Sequence, residues 1–188
     1  PFYGGTYFPP LPAYQRPSWL LLLHQIIQIW QEQPKEIEAQ TTQMLQFLKN
    51  AAAYTFQPGH NQWTIEVNNT IKTQLLKQAD TVYGGFGNAP KFPQTKAIQY
   101  LLEHYSYTQD EASLQQALLS LDRMASGGIY DQLGGGFARY STDTYWLAPH
   151  FEKMLYDNAL LISVYCTAYR ITKQSRYQQI IEETLAFV

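Results

Sequence analysis

One cysteine, Cys166, stands in a chain of 188 residues. A single thiol excludes an internal disulfide and a cysteine-based metal site. It fits a reducing compartment, and a cytoplasmic location is expected. Basic residues are scarce as well: 13 Lys and Arg against 15 Asp and Glu leave a net charge of −2. No basic stripe marks a surface for nucleic acid. The apolar run Trp19-Leu20-Leu21-Leu22-Leu23 stops at His24 and Gln25, far short of a bilayer span, so no membrane partner is expected. Walker, HExxH and GxSxG signatures are missing. Gly84-Gly85-Phe86-Gly87 lacks the strand–turn–helix context of a dinucleotide fingerprint. His24, His60 and His104 have no ligand spacing, so neither metal nor cofactor is expected. No basic segment opens the chain, so no signal peptide is visible. With Pro1 in place of an initiator Met and a helical pattern running to Val188, both ends look cut, and the chain reads as a fragment.

Aromatic residues make up 15% of the chain, with 15 Tyr and 4 Trp. Such rings combine an apolar face with a polar tip. Most are expected in the core; those that cluster with Gly in loops read as ligand-facing. At 45% apolar, the length allows one domain, or one domain plus part of another.

Residues 1–12 read as extended, since Phe2, Tyr3, Thr6, Tyr7 and Phe8 favour strand and Pro9-Pro10 stops it. Apolar periodicity then predicts helices over about 18–31, 34–53, 70–80, 94–105, 110–126, 151–171 and from Ser175 onward. Pro58-Gly59 breaks the chain, residues 57–69 read as linker, and Asn68 or Asn69 is placed to cap the third helix. Residues 151–171 are apolar nearly all round, which predicts a buried helix.

The connections are unequal. Two are short, and two, residues 83–93 and 127–153, are long and Gly-rich. In an up-and-down array alternate connections share an end, so both long loops are expected together. They also resemble each other. Gly84-Gly85-Phe86-Gly87 is echoed by Gly135-Gly136-Phe137-Ala138, an offset of 51, and Ala89-Pro90-Lys91-Phe92 by Ala148-Pro149-His150-Phe151, an offset of 59. The second loop thus reads as carrying an eight-residue insertion. Repeats of this period mean stacked helical hairpins.

Reactive groups concentrate in the second loop and at the helix that follows. The catalytic candidates are His150, Asp157, Asp143, Asp131 and Glu152. The binding candidates are Lys91, Phe92, Tyr130, Phe137, Arg139, Tyr140, Trp146, Lys153 and Asn158. On a helix starting at Phe151, His150, Lys153, Met154 and Asp157 share one face. That face predicts a polar depression with Asp131, Asp143 and Trp146 at its rim. Structural alternatives stay open: loop Asp residues cap turns or pair with Arg139, Glu152 suits a first helical turn, and Lys91 is expected to be exposed.

GGIYDQLGGGFARYSTDTYWLAPHFEKMLYDNA at 127–159, PFYGGTYFPP at 1–10 and YGGFGNAPKFP at 83–93 together resemble a family of long proteins. These pair an N-terminal thioredoxin-like domain with a C-terminal α/α toroid; they carry the domain of unknown function 255 and include the spermatogenesis-associated thioredoxin-like proteins. The resemblance implies a mainly α fold. Residues 1–55 would end a thioredoxin-like domain, 56–69 would be linker, and 70–188 the first hairpins of an (α/α)6 toroid like that of six-hairpin glycosidases. The family's Cys-bearing segment would lie before Pro1, so thiol redox activity is not assigned to these residues.

Two functions follow as expectations. One is a carbohydrate-active toroid, with glycosidase-like or sugar-epimerase-like acid–base chemistry on a sugar-like small molecule. The other is a non-catalytic interaction module of a thioredoxin-like redox protein. Carboxylates all paired with Arg139 and Lys153 would favour the second. Self-association through an incomplete apolar surface is expected of a fragment.

Overall fold

The computed structural model describes residues 4–52 and 64–188. The chain divides into two compact units, residues 1–62 and 63–188. Phe2, Tyr3, the Pro58-Gly59 break and His60 lie outside the described residues.

In the first unit, α1 (Trp19–Glu32) packs against α2 (Pro34–Ala52), with only Gln33 between them. The Ser18 hydroxyl accepts from the Leu21 amide at 3.3 Å and starts α1. Pro34 opens α2, where its missing N–H costs nothing. Leu22 is the buried residue of α1, while Leu20, Trp30 and Phe47 stay exposed. The strand expected at the start is not seen over residues 4–12. A strand needs a partner to be stable, and the described residues offer this segment none. Phe8 instead sets its ring edge on Trp19, centroids 4.8 Å apart, and the Pro9 carbonyl accepts from the Trp19 amide at 2.9 Å.

The second unit contains α3 (Ile65–Gln78), α4 (Thr95–Thr108), α5 (Glu111–Ser126), α6 (Leu155–Thr172) and α7 (Ser175–Phe187). Helices α4 and α6 pack side by side and each pairs with the helix that follows it; α3 lies against α4 and α5. The result is two layers, α4 and α6 in one, α3, α5 and α7 in the other. Side chains of Leu101, Leu102, Leu121, Met124, Leu161, Tyr165 and Tyr177 fill the space between them. Buried tyrosines keep their polar tips paired: Tyr165 donates to the Leu121 carbonyl at 2.8 Å and Tyr177 to Asp122 at 2.9 Å.

Two helix starts differ from the sequence pattern. Thr64 caps α3 by accepting from the Val67 amide at 3.4 Å, so residues 65–69 are helix rather than linker. Asn68 does not cap; it accepts from the Tyr100 hydroxyl. Helix α6 begins at Leu155, four residues later than the pattern suggests. Pro149 and His150 form β2, antiparallel to β1 (Tyr140–Ser141), with Tyr140 opposite His150. The Arg139 amide extends this ladder to the Glu152 carbonyl at 2.7 Å, which holds residues 149–152 extended. His150, Lys153 and Met154 therefore share no helical face with Asp157. Nor is α6 buried all round, because Leu155 is 66% exposed and Tyr156 52%.

Candidate functional site

The two Gly-rich loops are one construction built twice. Asp80 donates its amide to the Gly85 carbonyl at 3.0 Å, and Asp131 to that of Gly136 at 2.9 Å. Gly87 donates to the Gln78 carbonyl, and Ala138 to that of Ile129. The Asp80 carboxylate accepts from the Val82 and Tyr83 amides; that of Asp131 accepts from Leu133 and Gly134. Each aspartate then holds a lysine. Lys91 Nζ lies 2.6 Å from Asp80 and 3.0 Å from the Thr144 carbonyl. Lys153 Nζ lies 2.7 Å from Asp131 and 2.7 Å from the Gly135 carbonyl. Both ammonium groups face a ring, Trp146 at 5.3 Å and Phe187 at 4.3 Å.

This pairing corrects the sequence alignment of the loops. Lys91 corresponds to Lys153 (153 − 91 = 62), not to His150, so the insertion is 62 − 51 = 11 residues rather than eight. Lys91 is fully buried, not exposed, because Asp80 neutralises it and Thr144 satisfies a second proton. Asp80 itself was missed; the signal was the shared offset of 51 that links it to Asp131.

The insertion is the β1–β2 hairpin and its tip. Asp143 organises the tip, accepting from the amides of Tyr145, Leu147 and Ala148 and from the Ser141 hydroxyl. Burial pushes this carboxyl up, but those donors outweigh it and hold it below the usual range. Trp146 is not at a rim. It is fully buried with φ 66°, and its indole donates to the Tyr83 carbonyl at 2.8 Å. A Cβ on Gly85 would come within 2.5 Å of the Trp146 ring. The insertion thus plugs the first loop, and the two loops meet at one end of the helices.

Several candidates prove to be committed to the scaffold. Tyr130 is buried and donates to Glu183; burial and that carboxylate push its phenol well up. Phe137 is fully buried. Asn158 accepts from the Phe137 amide at 2.7 Å and donates to the carbonyls of Phe137 and Met154. The Lys153 hydrogen bond and the Gly134 and Leu133 amides hold Asp131 far below the usual carboxylate range.

What remains is a cluster between the hairpin and the start of α6. Phe92, Tyr140 and His150 form a column with successive centroids 4.7 Å apart, Tyr140 and His150 at 18° to each other. Glu152 receives Arg139 at 3.2 Å and stands 3.6 Å from His150 Nδ1. That nitrogen is buried without a hydrogen bond, although the side chain is 41% exposed. The open part of the imidazole is therefore the rest of the ring, which carries Nε2. Asp157, in the first turn of α6, is half-buried, and no hydrogen bond to its carboxyl is formed by the described residues. Burial raises its carboxyl, against the opposing charge of Arg139. The candidate carboxylates thus divide: Asp131 and Asp143 serve the loops, Glu152 is shared by Arg139 and His150, and Asp157 has no hydrogen-bond partner among the described residues.

Among the described residues no group of three acidic, His or Cys side chains could hold a metal ion, and no helix is long and apolar enough to cross a membrane. A groove of about 300 Å³ opens in the first unit between α1 and α2, lined by Leu22, Ile26, Ile29 and Ile37 with Gln25 and Gln40. Among the described residues its lining carries no titratable group.

A family model described as protein of unknown function, DUF255, under the label Thioredox_DsbH, matches residues 1–49. Spermatogenesis-associated protein 20 of Rattus norvegicus is 37% identical over 195 residues, taking in all of this chain and 24% of that protein. The Homo sapiens protein is likewise 37% identical, with 25% of its length covered. The chain belongs to this family. It spans about a quarter of the length of these curated relatives. Among solved structures, a sugar epimerase from a ruminal bacterium matches with TM-score 0.57 and 15% identity, covering 63% of this chain and 33% of that one. Cellobiose 2-epimerase from Bacillus thermoamylovorans B4167 matches with TM-score 0.53 and 17% identity, covering 65% and 36%. Likeness at such identity shows the fold alone: helical hairpins of an (α/α)6 toroid.

Proposed function

We propose that the loop end of the second unit is a sugar site that works by proton transfer, in the manner of an epimerase. The observation that carries the reading is the His150–Glu152 pair. A carboxylate faces the buried Nδ1 of a half-exposed imidazole, and Arg139 steadies the carboxylate. Glu152 lies 3.6 Å from Nδ1, beyond hydrogen-bond reach, so it acts through its charge on the imidazolium that forms when Nε2 takes a proton. Asp157 supplies a second carboxyl, whose burial favours the protonated form. Nε2 would remove the proton from the carbon next to the sugar carbonyl while Asp157 protonates the carbonyl oxygen, giving an enediol; the enediol then turns its other face to the imidazolium, which returns the proton to the carbon while the enol O–H gives its own back to Asp157, and the carbon is inverted. The fold shared with the two sugar epimerases supports the substrate class, as an analogy of fold.

The test is exchange of the sugar's C2 proton in deuterated water, measured for the full chain and for His150→Ala. The expected result is exchange in the wild type, loss in the variant, and a nearly unchanged melting temperature, because His150 is half-exposed on a short hairpin. Exchange that persists per folded molecule in the variant, or never occurs in the wild type, removes His150 from the chemistry. A second reading, a non-catalytic interaction module, draws support from Asp131 and Asp143, whose carboxylates are fully engaged in holding loops.

A further inference from the structure

We infer that this site takes an uncharged sugar and turns away phosphorylated and carboxylated ones; the inference rests on the sugar-site reading. Anion recognition is strongest where charged donors are free to turn to the anion. Lys91 is buried against Asp80 and the Thr144 carbonyl. Lys153 is held by Asp131 and the Gly135 carbonyl. Arg139 is paired with Glu152 and also lies within the field of Asp157. Lys96, in the first turn of α4, is exposed, where water and salt screen its charge. A helix N-terminus is ordinarily a place for an anion, but the first turn of α6 already carries the Asp157 carboxyl. The cluster therefore sets two carboxyls against one guanidinium. An incoming phosphate or uronate would meet the Glu152 carboxylate, with Arg139 already engaged by it and no cation released to receive the anion. A neutral sugar needs only hydrogen-bond partners for its hydroxyls and an apolar surface for its C–H faces. Arg139, Glu152 and Asp157 supply the first, and the rings of Phe92, Tyr140 and His150 the second.

The test is calorimetric titration of the full chain at low ionic strength with glucose, cellobiose, glucose 6-phosphate and glucuronate. Glucose or cellobiose should bind, and the two anionic sugars should bind at least about tenfold more weakly, a modest penalty for like charges brought together. Glu152→Gln removes the partner of Arg139 while keeping the side chain's size. It should narrow that gap by strengthening the anionic sugars, with the melting temperature unchanged because the pair is half-exposed. Anionic sugars that bind the wild type as well as neutral ones overturn the inference and leave the sugar site standing. A Glu152→Gln gap equal to that of the wild type also counts against the inference. If no sugar of either kind binds, the sugar-site reading itself falls and takes the inference with it.

Discussion

Asp80 and Lys91 form a buried pair whose two halves should not be equally costly to remove. Asp80 uses one carboxylate oxygen for the Val82 and Tyr83 amides and the other for Lys91. In Asp80→Asn the side-chain oxygen stays with the two amides, so the NH2 group turns toward the lysine, donor against donor. The ammonium is fully buried and keeps the Thr144 carbonyl and the face of the Trp146 ring but no counter-charge among the described residues. Removing one partner of such a pair costs about 3–5 kcal/mol. Lys91→Met leaves a different residue of damage. Asp80 keeps both amides and a side chain 20% exposed to water, so its charge remains solvated. The Thr144 carbonyl loses a donor, at about 1–3 kcal/mol. Asp80→Asn should therefore be the worse variant by about 2 kcal/mol, the difference between those ranges. The double variant, with no buried charge, should lose less than the sum of the two singles. Urea unfolding at neutral pH, followed by far-ultraviolet circular dichroism, measures all three. Burial works against the Asp80 carboxylate, but Lys91 and the two amides outweigh it and lower its pKa. Its stabilisation is thus present above the unfolded carboxylate value of about 3.9 and lost as pH falls through the folded value. The gap between wild type and Asp80→Asn should close in acid. If Lys91→Met proves the more damaging variant, the assignment of the buried charge to the lysine is wrong.

Gly85→Ala places a Cβ 2.5 Å from the Trp146 ring at φ +74° and should cost about 2–5 kcal/mol, left-handed strain plus overpacking. Gly87→Ala, at φ +72° with open space around it, should cost only the strain, about 1–2 kcal/mol; equal losses in thermal melts would deny Trp146 its role as a plug. Asp157→Asn should stabilise at neutral pH. Burial raises the folded pKa of this carboxyl, so its ionised form is a liability above that value, relieved as pH falls through it and gone below the unfolded value. The variant's advantage should accordingly vanish near pH 3; an advantage that persists there would trace to packing rather than charge.

Helices with a clear period and a good cap were legible in the residues. Asp110 caps α5, as its place just ahead of the apolar run suggests, and the meeting of the two long loops follows from the alternation of long and short connections. The start of α6 was not legible. Phe151-Glu152-Lys153 looks like a first turn, but its backbone is recruited by Arg139 and Tyr140, ten or more residues upstream. The same limit explains Lys91 and Trp146. A lysine is exposed by default, and a Trp beside loop aspartates looks like a rim residue; both are buried by partners 53 and 63 residues distant in sequence. For the candidate site, the sequence located the loops and named the cluster of Arg139, Tyr140, His150, Glu152 and Asp157. It could not separate these from Asp131, Asp143 and Lys153, whose tasks are set by tertiary neighbours.

The plug also imposes an order on synthesis. The Asp80–Lys91 loop leaves the ribosome about fifty residues before Thr144 and Trp146, the groups that enclose its lysine. Until they emerge the ammonium has water for company, and the first hairpin is an unfinished object with its charge facing outward. The later insertion completes the earlier loop, so a nascent chain halted near Ala138 would hold the three helices α3, α4 and α5 of the second unit and still lack the part that closes its first loop.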